Sequence, residues 1–264
     1  MRVRVVGLGL IGGSIALGLR GRHDVAGYDR DDAARAAARG RGIVVVDALD
    51  AVLPADAVVV ATPLAAVVPT LRALAPRAAG AVLVEVGSLK ADVALFAESA
   101  PEGVRIVGLH PMAGSTASGI AAADPALLRG RPFLAVATAR SDERSMALAG
   151  ELARDLGGSV TVCSPAVHDR AIAAVSALPL ASAIALDAVA RAALPMPFEA
   201  VAGTGIRDAT RLAATPPELA LPLLGAPGLP EHIAALRERL GEIERALGDE
   251  RALRRLLAER AERA

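Results

Sequence analysis

Three segments of the 264-residue sequence carry groups whose type and spacing suit chemistry. One is Gly108-Leu109-His110-Pro111-Met112-Ala113-Gly114. Imidazole titrates near neutrality, so His110 suits the removal of a hydroxyl proton. A histidine at a strand end, flanked by Gly and followed by Pro, is less often structural than one on a helix face. The competing reading is a buried histidine bonded to backbone. The second segment is Glu85-Val86-Gly87-Ser88-Leu89-Lys90, where Ser88 either binds a substrate hydroxyl or caps the following helix. The third is Gly7-Leu8-Gly9-Leu10-Ile11-Gly12-Gly13-Ser14, a G-x-G-x-x-G between an apolar strand and an apolar helix.

That context gives the glycines a purpose. Gly7 permits the tight turn, Gly9 lets backbone approach a pyrophosphate, and Gly12 lets helix pack close to strand. Leu10 and Ile11 open the helix, whose free N–H groups meet phosphate charge. Asp29 lies twenty residues beyond Gly9, at the end of the second strand. A carboxylate there accepts hydrogen bonds from ribose hydroxyls and repels a 2′-phosphate, which favours NAD over NADP, with the adjacent Arg30 softening the preference. The alternative for Asp29 is a cap or turn residue. Thr62 and Pro63 follow the next apolar strand, on the ligand-binding edge of such a sheet.

These residues need a framework to bring them together. Seven strands are expected, at Val3–Val6, Val25–Tyr28, Ala57–Ala61, Ala81–Val86, Arg105–Leu109, Phe133–Ala137 and Val160–Cys163. Helical patterns alternate with them: Asp31 is placed to cap a helix that Gly40 ends, and Ser141-Asp142 to open one that Gly157-Gly158 closes. The alternation predicts an α/β fold, a Rossmann-type parallel sheet covered on both faces, over residues 1–164. Its carboxyl edge would gather the glycine loop, Ser88 and His110. Residues 165–264 read as an all-α domain. There Ile233, Leu236, Leu240, Ile243 and Leu247 form an a/d seam closed by Gly248, with Asp249 capping a last helix. Such a seam packs within the chain or forms a homodimer; a helical half poor in large side chains favours the dimer.

Composition excludes several classes. Formal charges cancel at +0, against a nucleic-acid footprint or a polybasic membrane patch. The lone Cys163 forms no intrachain disulfide, so a reducing compartment is expected. The N-terminus runs directly into a strand with no signal-peptide pattern, and no uninterrupted apolar run reaches membrane-spanning length. The protein therefore reads as cytoplasmic, with no metal site. His23 is expected to be exposed, His168 and Asp169 to form a capping pair, and His232 to lie on the tail helix.

In order and spacing, the glycine loop, Val86–Lys90 and Gly108–Gly114 resemble the prephenate/arogenate dehydrogenase family. Ser164-Pro165-Ala166-Val167-His168-Asp169 and Gly203–Ala213 extend the likeness over nearly the whole chain. The resemblance implies an NAD-dependent oxidative decarboxylation of prephenate or arogenate, a cyclohexadienyl carboxylate, in tyrosine biosynthesis. His110 would take the ring hydroxyl proton, Ser88 would orient that hydroxyl, and Arg211 would bind substrate carboxylate, with Arg207 and Ser176 nearby in the substrate site. Without the motif, both arginines would read as a solvated helix face.

Two departures from the family pattern stand out. The family's Ser-His-Leu-Pro-His is here Ser176-Ala177-Leu178-Pro179-Leu180, and a common Trp is replaced at Ala220. Each lost polar partner weakens binding by about 1–3 kcal/mol. Hence three alternatives stay open: compensation by other residues, a prephenate analogue such as a ring-amino one from a specialised pathway, or a catalytically silent dinucleotide-binding dimer. Reductases of the β-hydroxyacid or pyrroline-carboxylate kind are disfavoured. The former place a catalytic lysine in the second domain, and here the only lysine is Lys90. No appended regulatory domain is expected after the helical tail.

Overall fold

The structure is a computed structural model and describes residues 1–115 and 117–261. Eight strands form one sheet: β1 (Arg2–Val6), β2 (Asp24–Tyr28), β3 (Val44–Val45), β4 (Ala57–Val60), β5 (Val82–Glu85), β6 (Arg105–Pro111), β7 (Pro132–Ala137) and β8 (Ser159–Cys163). Their order is β3-β2-β1-β4-β5-β6-β7-β8. Helices α1 (Leu10–Leu19), α2 (Asp32–Gly40), α3 (Leu64–Leu74), α4 (Ala91–Ser99) and α5 (Glu143–Asp155) connect them. Successive side chains of a strand point to opposite faces. Accordingly Val5, Val59, Val84 and Val107 pack with Ile15 and Leu19 of α1 and Leu152 of α5. On the other face, Val58, Val60, Leu83 and Ile106 pack with Leu71 of α3 and Phe96 of α4. Burial on both faces is why these strands read as unbroken apolar runs.

The expected caps form. Asp31 accepts from Ala33 N–H to open α2, and Asp142 accepts from Ser145 N–H in a reciprocal capping box at α5. The sheet itself differs from the all-parallel expectation at one place: β6 and β7 are antiparallel. Among the described residues between β6 and β7, Ile120–Ala122 and Pro125–Leu128 form short 3-10 turns against α1 in place of a crossover α-helix, and the chain enters β7 reversed. The short β3 was not expected.

From Pro165 onward every element among the described residues is helical: α6 (Pro165–Ile172), α7 (Leu178–Ala193), α8 (Phe198–Val201), α9 (Thr204–Thr210), α10 (Pro217–Leu224), α11 (Leu229–Ala246) and α12 (Glu250–Ala261). A π-helical turn, Ala173–Ala177, joins α6 to α7. Pro179 lies in the first turn beyond it and has no N–H for the helical ladder, a frequent setting for such a widened turn. By length and composition the joined helix Pro165–Ala193 suffices to cross a membrane. Ser176, Pro179 and Ser182 interrupt the apolar run in sequence, yet none of them ends the helix. The expected helix stop and cap form in the tail: Gly248 has φ +89°, and Asp249 accepts from Ala252 N–H at 3.0 Å to open α12.

Candidate active site

Between β1 and α1 the chain must turn within a few atoms of β4. Gly7 has φ +94°, and a Cβ there would lie 2.6 Å from the Ala61 carbonyl oxygen. At Gly12 a Cβ would lie 1.8 Å from the Gly7 oxygen, whereas one at Gly9 would meet nothing within 4 Å. The loop is therefore closed inward and open outward at Gly9, as a pyrophosphate cradle requires. No side chain caps α1, so the N–H groups of Leu10, Ile11 and Gly12 face outward for an anion. Asp29 accepts from Leu8 N–H at 2.8 Å and from Asp31 N–H at 2.9 Å, which fixes its carboxylate beside the glycine loop. Arg30 is exposed. Pro63 precedes α3, and the Thr62 hydroxyl is buried with no partner among the described residues. These residues fit a dinucleotide.

The segment after β6 packs along α1: a Cβ at Gly13 would lie 2.4 Å from Ile120, and one at Gly18 3.5 Å from Pro125. Arg41 donates to the Ile120 and Ala123 carbonyls at 2.7 and 2.6 Å, and the Ser14 hydroxyl accepts from Asp124 N–H at 2.9 Å.

His110 lies near the end of β6, buried, paired in register with Leu134 of β7. Its Nδ1 is 3.0 Å from Nε2 of His168, and Nδ1 of His168 is 2.7 Å from Oδ1 of Asp169. Burial first, then the Lys90 ammonium and His168, hold the His110 imidazole well below its ordinary value, so it is neutral near pH 7. Lys90 is itself fully buried; its Nζ is 2.6 Å from Glu85 Oε1 and donates to the Gly87 carbonyl at 2.6 Å. Burial would raise Asp169, but hydrogen bonds from His168 and from the Lys90 and Ala91 N–H groups outweigh it and hold the carboxyl below its usual range.

These contacts exclude one of the two readings of Ser88. The N-terminus of α4 is capped by Asp169, which accepts from Lys90 N–H at 2.8 Å and from Ala91 N–H at 3.0 Å. Ser88 is not the cap; its hydroxyl is half-buried and makes no hydrogen bond among the described residues. Next to it, Leu89 packs on a small helical core of Ala173, Ala177, Ala226 and Leu229. The turn that carries Ser88 is thus held from the helical side by both an apolar and a polar contact.

The other expected substrate residues belong to the helical side. Ser176 sits in the π-helical turn, half-buried, and Arg211 follows α9, exposed and without an ion pair among the described residues. Arg207 is exposed and donates to the Ala202 carbonyl at 2.9 Å. None of the three touches the His110 cluster by hydrogen bond. Ala177, Leu180 and Ala220, the three departures from the family pattern, are all buried. His232 lies on α11 as expected. Two other histidine readings are corrected. His23 is not exposed: its side chain is 6% accessible and Nε2 is 2.8 Å from Asp155, because α5 closes over the start of β2. His168 and Asp169 are not a local capping pair. Ser164 already caps α6 by accepting from Val167 N–H, which frees them to turn inward. That redundancy in Ser164-Pro165 was the one signal in the sequence.

Comparison with known proteins fits this geometry. Family models described as the nucleotide-binding domain and the dimerization domain of prephenate dehydrogenase match residues 15–162 and 164–254. The chain belongs to the prephenate dehydrogenase family. It is 31% identical over 223 residues to a prephenate dehydrogenase of Lactococcus lactis, covering 80% of this chain and 61% of that protein. It also resembles the crystal structure of Synechocystis arogenate dehydrogenase, at TM-score 0.81 and 28% identity over 100% of both chains. The structure of Aquifex aeolicus prephenate dehydrogenase with hydroxyphenyl propionate and NAD⁺ aligns at TM-score 0.88 and 25% identity, over 100% of this chain and 97% of that one.

Proposed function

We propose that this chain catalyses NAD-dependent oxidative decarboxylation of prephenate or arogenate in tyrosine biosynthesis. One observation carries the reading: a glycine loop open for a dinucleotide shares a sheet edge with a buried, neutral histidine. When bound, NAD supplies the hydride acceptor. His110 receives the proton of the ring hydroxyl, so that the carbinol carbon becomes a carbonyl as its hydrogen leaves with the electron pair. Cleavage of the ring C–CO₂⁻ bond then sends its electrons through the ring to that oxygen, which recovers the proton from His110 as a phenol. Ser88, unbonded within the chain, orients the hydroxyl. Arg211 is assigned to a substrate carboxylate, with Arg207 and Ser176 supporting the same end.

The fixed Asp29 carboxylate supports NAD over NADP. A domain division at Ser164 agrees with the meeting point of the two family models. The exposed apolar side chains of α7 and α11, among them Val189 and Leu240, support a homodimer through the helical domain as the cover for the long apolar helix. A cytoplasmic setting fits the lone Cys163.

The test is NAD⁺ reduction with prephenate, arogenate and a ring-amino analogue, beside His110→Ala and an NADP⁺ control. We expect turnover of prephenate or arogenate, a loss of about 10³-fold or more in His110→Ala, and retained NAD⁺ binding. Since His110 is held below its ordinary value of 6.5, the acid limb of kcat/KM should lie below that pH and activity should fall as His110 takes up a proton. Turnover of the ring-amino analogue alone would refute the tyrosine assignment.

A further inference from the structure

We propose that His168 and Asp169, supplied by the helical side, are positioning residues that lock the tautomer of His110 and share its charge when it takes a proton. The inference rests on the proposed reaction for its kinetic consequences and on geometry alone for the tautomer.

Hydrogen-bond accounting assigns each proton in turn. An ionised carboxylate only accepts, so the 2.7 Å contact requires His168 Nδ1–H to donate to Asp169. The other nitrogen of a neutral His168, Nε2, then carries a lone pair. It lies 3.0 Å from His110 Nδ1, which must therefore hold the proton and donate it. What is left on His110 is a single acceptor, Nε2, on the side of the ring away from the relay. Free imidazole side chains have no such constraint, and those with the proton on Nε2 would present N–H to the substrate and be inert as a base.

The same chain balances the charge. As the substrate O–H bond breaks and an Nε2–H bond forms, the Nδ1–H proton of His110 is shared with, or passes to, Nε2 of His168. The positive charge thereby moves next to the Asp169 carboxylate. The ionisable groups around this relay are Lys90 at the start of α4, Glu85 at the end of β5 paired to it, and Cys163 at the end of β8, whose thiol burial pushes upward. Lys90 opposes protonation of His110 in the resting state, and Asp169 favours it along the relay. Because Asp169 also caps α4, the lock forms only where the helical side seats against the turn that carries Ser88.

Two measurements test this. Imidazole ¹⁵N NMR of the wild-type protein without substrate should show both His110 and His168 protonated at Nδ1; a His110 protonated at Nε2 would overturn the lock whatever the enzyme's substrate proves to be. With the turned-over substrate, His168→Phe should lower kcat about 10²-fold with KM and calorimetric NAD⁺ affinity near wild type, and His168→Gln, whose amide oxygen accepts from Nδ1–H, should recover at least tenfold. Asp169→Asn should move the acid limb of kcat/KM to lower pH, a shift that loss of the α4 cap alone would not produce. Wild-type kcat in His168→Phe, or an unmoved limb in Asp169→Asn, would refute the relay. If the wild type turns over none of the three candidate substrates, the proposed reaction fails while the NMR result still decides the tautomer.

Discussion

The two halves of this chain draw on the same Ala-, Val- and Leu-rich repertoire and close it in opposite ways. Around the sheet, alternate residues of each strand feed two separate cores, one under α1 and α5 and one under α3 and α4. Beyond Pro165 the core of buried apolar residues shrinks to Ala173, Ala177, Ala226 and Leu229, while Val189, Leu221, Leu240 and Leu247 are each more than half exposed. A sheet with covering helices satisfies itself. A fan of helices with alanine at its contacts leaves its larger side chains facing out, and they gain by meeting a second such surface. His168 and Asp169 lie on the boundary: they belong to the helical half by sequence and to the sheet edge by contact.

This contrast can be broken at several points. The largest expected effect is in the self-sufficient half. Leu83→Ala, in the centre of β5, should cost about 2–5 kcal/mol of unfolding free energy in urea titrations, because neighbours on a rigid sheet cannot collapse into the cavity. In the helical half the loss should appear as assembly. Leu240→Asp should halve the mass in light scattering and make the melting temperature independent of protein concentration, with NAD⁺ affinity unchanged; a wild-type monomer at micromolar concentration would remove the argument for the dimer. Smallest is Asp155→Asn, at about 1 kcal/mol, since it weakens hydrogen bonds at the edge of the sheet domain. Burial raises Asp155, but His23 and Arg22 outweigh it and hold the carboxyl below its ordinary 3.8. Its contribution is thus present above that pH and fades as pH falls through the lowered value, so thermal melts of variant and wild type should converge at strongly acidic pH.

The sequence was most informative where the controlling interactions are local. The cap at Asp31, the capping box at Asp142, and the stop at Gly248 with the cap at Asp249 each depend on residues within a few positions, and each formed as read. Ser88 shows the limit. Its reading as a cap could not be excluded until Asp169 was found capping α4 from about 80 residues away. His23 failed for a similar reason, since its burial depends on Asp155, 132 residues later.

By itself the sequence determined the α/β half, its glycine loop, the helical second half and the candidate base His110, because strand alternation, helix caps and turn glycines are written in short-range spacing. Only the tertiary structure decided that β7 runs against β6, that Lys90 is buried on Glu85, and that His168 with Asp169 stands behind His110. Those outcomes follow from which surfaces meet when the chain closes, and burial makes each polar group seek whatever partner the packing brings within reach.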